Sequence, residues 1–188
     1  KIAPKNYAQY IGEAVEDFSY MKFPYYKELG YPKGMYRVGP LARLNVCNRA
    51  GTPQADLELS EFRSMQKGPI TSSFHYHYAR LIEIVFCIEK MQEILELPYI
   101  LDPRVRSRGR ANNPEGVGVS EAPRGTLIHH YKTDENGNIT WCNLVIATGH
   151  NNLAINKGVL QVAQHYVDGN KLEEGMLNRV EAIVRCYD

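Results

Sequence analysis

From Ser72 to Leu97 the chain places an apolar residue on almost every helical turn. Phe74, Tyr78, Leu81, Ile82, Val85, Ile88, Met91 and Leu95 follow a helical period, and Ile84 and Cys87 widen the arc. Pro98 stops the run, and Ser72 or Ser73 stands where a cap belongs. An apolar face this broad implies a helix buried against several neighbours.

Other stretches are read as those neighbours. Asn6 is a cap candidate, and Tyr7, Ile11, Ala14, Val15 and Phe18 follow at helical spacing. Residues 25–38 read as irregular, with a short extended piece at Met35–Val38. Pro40 can open a helix at its first turn. Ala55–Met65 reads as a short amphipathic helix carrying Leu57, Leu59 and Phe62. Asn152 can cap a helix over Leu153–Val167, and a last helix covers about Glu173–Arg185. Thr126–Thr133 and Ile139–Ala147 look like strands, and Asp134-Glu-Asn-Gly-Asn138 between them is a hairpin signal, because Asn-Gly tolerates positive φ. The expectation is one mainly α unit of the α+β class, spanning residues 1–188, with a small hairpin at about 126–147.

Composition narrows the function. A net charge of +1 gives no global reason to bind nucleic acid. Arg104, Arg106, Arg108 and Arg110 alternate along residues 102–120, but no aromatics interleave, so this segment reads as a solvated or subunit-facing loop. No apolar stretch approaches the ~20 residues that span a membrane. Cys47, Cys87, Cys142 and Cys186 are scattered, without a CxxC pair, which favours a reducing compartment and no metal site. No apolar run follows Lys1 as in a signal peptide, and the chain does not start with Met, so a piece of a longer protein is expected.

The chemistry concentrates at Glu121-Ala-Pro-Arg-Gly125. Pro123 fixes φ. Gly125 lets a bulky partner approach the backbone. Arg124 then presents its five-donor fork from a defined place. This turn enters the hairpin and Thr148 leaves it, so Arg124 and Thr148 are expected to be neighbours. A guanidinium and a hydroxyl together suit an anionic or diatomic ligand. Glu121 is either a partner of Arg124 or a turn cap. His75 and His77, two apart on a helix, cannot share a metal and read as packing or surface residues. His129 and His130 face opposite sides of a strand, one of them toward the core. His150 is the histidine best placed to approach a site. No phosphate-binding glycine loop and no nucleophile elbow are present.

Taken together, Tyr36-Arg-Val-Gly-Pro-Leu-Ala-Arg-Leu-Asn45, His77-Tyr-Ala-Arg-Leu-Ile-Glu83, Glu121-Ala-Pro-Arg-Gly125, Asn143-Leu-Val-Ile-Ala-Thr148 and Val184-Arg-Cys-Tyr-Asp188 resemble the large subunit of nickel–iron hydrogenases. The group they resemble is the cytoplasmic, bidirectional, NAD(P)-linked one. The resemblance implies a multi-helical large-subunit fold and reversible H2 oxidation. It implies a centre of nickel and iron, the iron carrying two cyanides and one carbon monoxide. Arg124 would then hang over that centre, donate to one cyanide and assist heterolytic H2 cleavage. Pro123 would wall the pocket, and Thr148 would donate to the other cyanide. The Leu144 carbonyl would be a magnesium ligand. The implied partners are a small subunit with an iron–sulfur cluster and a diaphorase module, which would bind the pyridine nucleotide.

The chain departs from that pattern. The family often has Pro before the hydroxyl residue, and here Ala147 stands there. The family's nickel is held by four thiolates from two CxxC pairs, and neither pair is present. The expectation is a C-terminal portion lacking the final cysteine-pair segment, holding no nickel or iron, inactive by itself and prone to self-association. Two other classes fit less of the sequence. One is the metal-free, hydrogenase-like quinone-reduction subunit of respiratory complex I. The other is a helical interaction module.

Overall fold

The computed structural model describes residues 2–107 and 113–187. A 3-10 turn, Pro4–Asn6, leads into the single-turn helix α1 (Tyr7–Tyr10). Strands β1 (Ile11–Glu16) and β2 (Ser19–Tyr26) follow as an antiparallel hairpin. The sequence predicts a longer helix in this stretch, and the structure corrects it. In the hairpin Phe23 and Pro24 are buried on β2, whereas Val15 and Phe18 are both 73% exposed. The helical spacing is accidental. β-Branched and aromatic residues suit a half-buried pleat, and Gly12 weakens a helix. Met35–Val38 forms no strand.

Helix α2 (Pro40–Val46) starts at its proline, as expected. Helix α3 (Pro53–Ser64) buries Ala55, Leu59 and Phe62 and leaves Leu57 exposed. Its first turn is capped from a distance. Glu89 accepts the Thr52 hydroxyl at 2.7 Å and the Ala55 N–H at 3.1 Å. A carboxylate there satisfies donors that have no partner within the helix. These bonds, the Thr52 hydroxyl foremost, hold the Glu89 carboxyl below its ordinary pKa.

Helix α4 (His75–Leu95) is the long helix expected from the apolar run. The serines before it use carbonyls instead of hydroxyls: Ser72 O accepts the His75 N–H and Ser73 O accepts the Tyr76 N–H. Its buried side is narrow: Tyr76, Ala79 and Ile82. Leu81, Ile84, Ile88, Met91 and Leu95 remain exposed. The main core joins α2, α3 and α4 through Leu41, Leu44, Leu59, Phe62, Tyr76 and Ile82.

Strands β3 (Glu115–Ala122), β4 (Gly125–Thr133) and β5 (Ile139–Val145) form an antiparallel meander in that order. The β4–β5 hairpin agrees with the sequence reading. Asp134 Oδ1 accepts the N–H of Asn136 and of Asn138, and Gly137 takes a φ of 83°. Strand β3 replaces an expected loop. It lies at a sheet edge, largely exposed, and Gly116 and Gly118 interrupt its valines, so it shows no apolar alternation. Arg104 pairs with Asp102 on exposed irregular chain. Arg108 and Arg110 lie outside the described residues. Helices α5 (Asn152–Tyr166) and α6 (Glu174–Arg185) complete the chain, with Gly158 against Ile183. Asn152 is the first residue of α5 and no cap: its side-chain amide donates to the Lys22 carbonyl at 2.9 Å. The architecture is helix-dominated α+β, with two small sheets among the described residues.

Phe62 is fully buried, edge-on to Tyr78 and His75. Phe62→Ala is expected to cost about 3–5 kcal/mol of unfolding free energy. Leu57→Ala on the same helix should stay within about 0.5 kcal/mol. Urea denaturation checks both, and equal losses would contradict this packing.

Candidate functional site

Pro123 and Arg124 are the two residues between β3 and β4, with Ala122 and Gly125 paired across the turn. Gly125 has φ 137° and Gly39 has φ 101°, and the two segments touch. A Cβ on Gly125 would lie 2.3 Å from Val38 Cγ2, and one on Gly39 would lie 2.7 Å from the Arg124 carbonyl oxygen. Gly125 therefore admits a bulky partner, and the partner is Val38–Gly39.

The opposite flank of the turn is held by Arg43 of α2. Its Nε and Nη2 donate to the two oxygens of Glu83 at 2.7 and 2.6 Å. Its Nη1 donates to Glu121 at 2.9 Å and to the Ala122 carbonyl at 3.0 Å. Its Nη2 also donates to the Pro123 carbonyl at 2.9 Å. Burial works against the Arg43 charge, but the Glu83 and Glu121 carboxylates outweigh it and raise the pKa above its ordinary value. Glu121 thus serves Arg43, and its other oxygen accepts the Thr126 hydroxyl.

Beside this turn opens a cavity of about 850 Å3. Pro123 and Arg124 line one wall, with Arg49, Arg80, Phe86 and Cys87 among the other residues. Both Pro123 and Arg124 are exposed.

Thr148 is half-buried and opens the 3-10 turn Gly149–Asn151, its carbonyl accepting the Asn151 N–H at 2.9 Å. The β4–β5 ladder stops at Ile128 opposite Val145, so Thr148 is not paired across the sheet. Instead the loop grips the same Val38–Gly39 segment that Gly125 touches. Asn151 Oδ1 accepts the Val38 N–H at 2.9 Å, and Asn151 Nδ2 donates to the Val38 carbonyl at 3.3 Å. The Tyr76 hydroxyl donates to that carbonyl at 2.9 Å. Leu144 sits on β5 opposite His129 and is 40% exposed.

His150 is buried, with Nδ1 in a hydrogen bond to the Tyr36 hydroxyl and Nε2 without a protein partner. Burial lowers its pKa from 6.5 to about 4, and the Val145 backbone, Glu121 and Glu13 offset this only in part. Burial likewise raises the pKa of Tyr36. His75 packs beside Phe62, and His77 Nε2 lies 3.5 Å from the buried Cys186 thiol. On β4, His129 bonds the Tyr131 hydroxyl, whereas His130 reaches Tyr7 and Glu115. Among the described residues no three His, Cys, Asp or Glu side chains converge as a metal site. Arg43, Glu83 and Asn151 drew no role from local pattern. Their partners lie 40 or more residues away, beyond any periodicity.

Neutral His150 gives a pH prediction. The unfolded chain takes up this proton near pH 6.5, and the folded chain resists until about 4. Its contribution to stability is therefore complete above pH 6.5 and is lost as pH falls toward 4. The expected loss is about 3 kcal/mol. Urea melts from pH 7 to 4 should show it, and His150→Gln should flatten the profile. An unchanged slope in that variant would contradict a neutral buried ring.

Residues 3–158 match the family model described as nickel-dependent hydrogenase. The chain is 46% identical over 187 residues to the NAD-reducing hydrogenase HoxS subunit beta of Cupriavidus necator, covering 97% of this chain and 38% of that one. It is 43% identical over 194 residues to an iron-sulfur subunit of the F420-non-reducing hydrogenase of Archaeoglobus profundus, covering 98% and 40%. A crystal structure of an NAD+-reducing [NiFe]-hydrogenase in the H2-reduced state superposes with a TM-score of 0.90 at 43% identity, covering 98% and 41%. The chain thus spans about two fifths of the length of these relatives.

Proposed function

Because the chain belongs to the nickel-dependent hydrogenase family, we propose that it forms one portion of the large subunit of a nickel–iron hydrogenase and walls the pocket of its metal centre. The whole enzyme would oxidise H2 reversibly and pass the electrons to NAD(P) through partner subunits. Those partners would be a diaphorase module and a small subunit with an iron–sulfur cluster. The observation that carries the reading is the rigid Pro123–Arg124 turn at a cavity wall, in a chain that superposes on an NAD+-reducing [NiFe]-hydrogenase.

The described residues suit the wall and not the ligand set. Nickel of this kind needs several soft thiolates. Cys47 and Cys87 both border the cavity, yet no three-ligand cluster forms among the described residues. What the chain offers is fixed donors. Arg124 would contribute its fork of N–H donors to buried anionic ligands such as the iron's cyanides. The Thr148 hydroxyl would serve the second cyanide, and Pro123 would help wall the pocket around these diatomic ligands. The Leu144 carbonyl would face a magnesium ion. Among the described residues no helix is long and apolar enough to cross a membrane. The free cysteines suit a reducing compartment, which we take to be the cytoplasm.

In the assembled enzyme, Arg124→Lys is expected to lower H2 oxidation by about 10²–10³-fold with metal content unchanged. Thr148→Val should shift one cyanide stretching band in the infrared and leave the other in place. Full activity in Arg124→Lys, or no shift of either band in Thr148→Val, would remove the assignment. The 188 residues alone are expected to show no H2-dependent dye reduction, and robust reduction would overturn the division between wall and ligand set.

A further inference from the structure

We propose that Arg43 is the positioning residue that aims Arg124. The inference rests on Arg124 acting at the metal centre, because a positioning residue matters only if the group it aims does.

The geometry is specific. The Ala122 carbonyl stands just before Pro123, and the Pro123 carbonyl belongs to the peptide that leads into Arg124. Arg43 donates to both, at 3.0 and 2.9 Å. Fixing a carbonyl fixes its whole peptide plane, because that unit does not rotate about C–N. The plane of the Pro123–Arg124 peptide includes the Arg124 nitrogen and Cα, so Arg43 fixes the N–Cα axis on which the Arg124 side chain hangs. Pro123 already restricts φ, and Gly125 is jammed against Val38 and the Gly39 nitrogen. Arg43 holds the peptide before Arg124, and the packing of Gly125 holds the residue after it.

Arg43 can do this because it is itself anchored. Glu83 on α4 takes Nε and Nη2 in a two-point contact, leaving the rest of the fork to reach the turn. Glu121 adds a third carboxylate oxygen at 2.9 Å. Glu83, Glu121 and the two carbonyls are thus served by one planar cation. A lysine ammonium has three donors on a flexible stem and cannot span this fan. Arg43 borders the same cavity as Arg124 and reaches the turn through the Ala122 and Pro123 carbonyls.

The test uses Arg43→Lys, which keeps the charge opposite Glu83 and Glu121. In the assembled enzyme, amide hydrogen exchange should rise about tenfold or more at Arg124 and Gly125, with β4–β5 from Ile128 to Val145 unchanged. A merely structural Arg43 would raise exchange across the chain. Uniform acceleration, or no change at the two amides, overturns the proposal. If Arg43→Lys does not fold, Glu121→Ala at a half-exposed position removes one partner and should raise exchange at the same two amides by a smaller factor; unchanged amides there also overturn it. In the assembled enzyme Arg43→Lys should lower turnover, and adding it to Arg124→Lys should lower it no further, because the two act as one unit. If exchange responds and turnover does not, the positioning role stands and the catalytic reading of Arg124 falls.

Discussion

The fold turns on a contact between two pieces of backbone that leaves no room for a side chain. Gly39 and Gly125 both sit at positive φ; a Cβ on Gly39 would run into the Arg124 carbonyl, and one on Gly125 would run into Val38 and the Gly39 nitrogen. Positive φ makes glycine the residue of low cost there, and the close approach makes it the residue of low volume. Through this contact the β3–β4 turn is seated on the N-terminus of α2. The Arg43 fork, the Asn151 amide and the Tyr76 hydroxyl then converge on the two contacting segments from three directions. Donor geometry at the cavity wall is a result of that seating.

Elements carrying their own local chemistry were legible in the sequence. The Asp134–Asn138 turn has an aspartate that accepts backbone donors and a glycine at positive φ, so β4 and β5 could be read directly. Pro40 announced α2, and the Ser72–Leu97 run announced α4. The first hairpin was not legible. Ile11, Ala14 and Val15 satisfy a helical spacing, and only tertiary burial of Phe23 and Pro24 decides for strands. Strand β3 gave no alternation because an exposed edge buries too little to impose one. The breadth of the apolar arc on α4 also misled: its outer residues face away from the main core.

The candidate site divides along the same line. Arg124, Pro123 and Gly125 stand out because a proline and a glycine around an arginine restrict backbone in a readable way. Thr148 was expected beside Arg124 from hairpin topology, but the ladder ends before reaching it. Arg43, Glu83, Asn151 and the Tyr36–His150 pair left no such trace. Each is an ordinary polar residue until a distant partner arrives. The neutral state of His150 is likewise a product of enclosure and not of sequence neighbours.

The Arg43 contacts also set an order of assembly. Its partners lie 40 residues away at Glu83 and 78 to 80 residues away at Glu121, Ala122 and Pro123. Long loops must close before such bonds return anything, so pairs far apart in the chain form after local helices exist. Helices α2 and α4 can meet first, with Arg43 already fixed on Glu83. The Pro123–Arg124 turn then arrives at a guanidinium whose orientation is set. Docking of the Pro123–Arg124 corner on Arg43 is therefore the step expected late in folding, onto a template the helices complete beforehand.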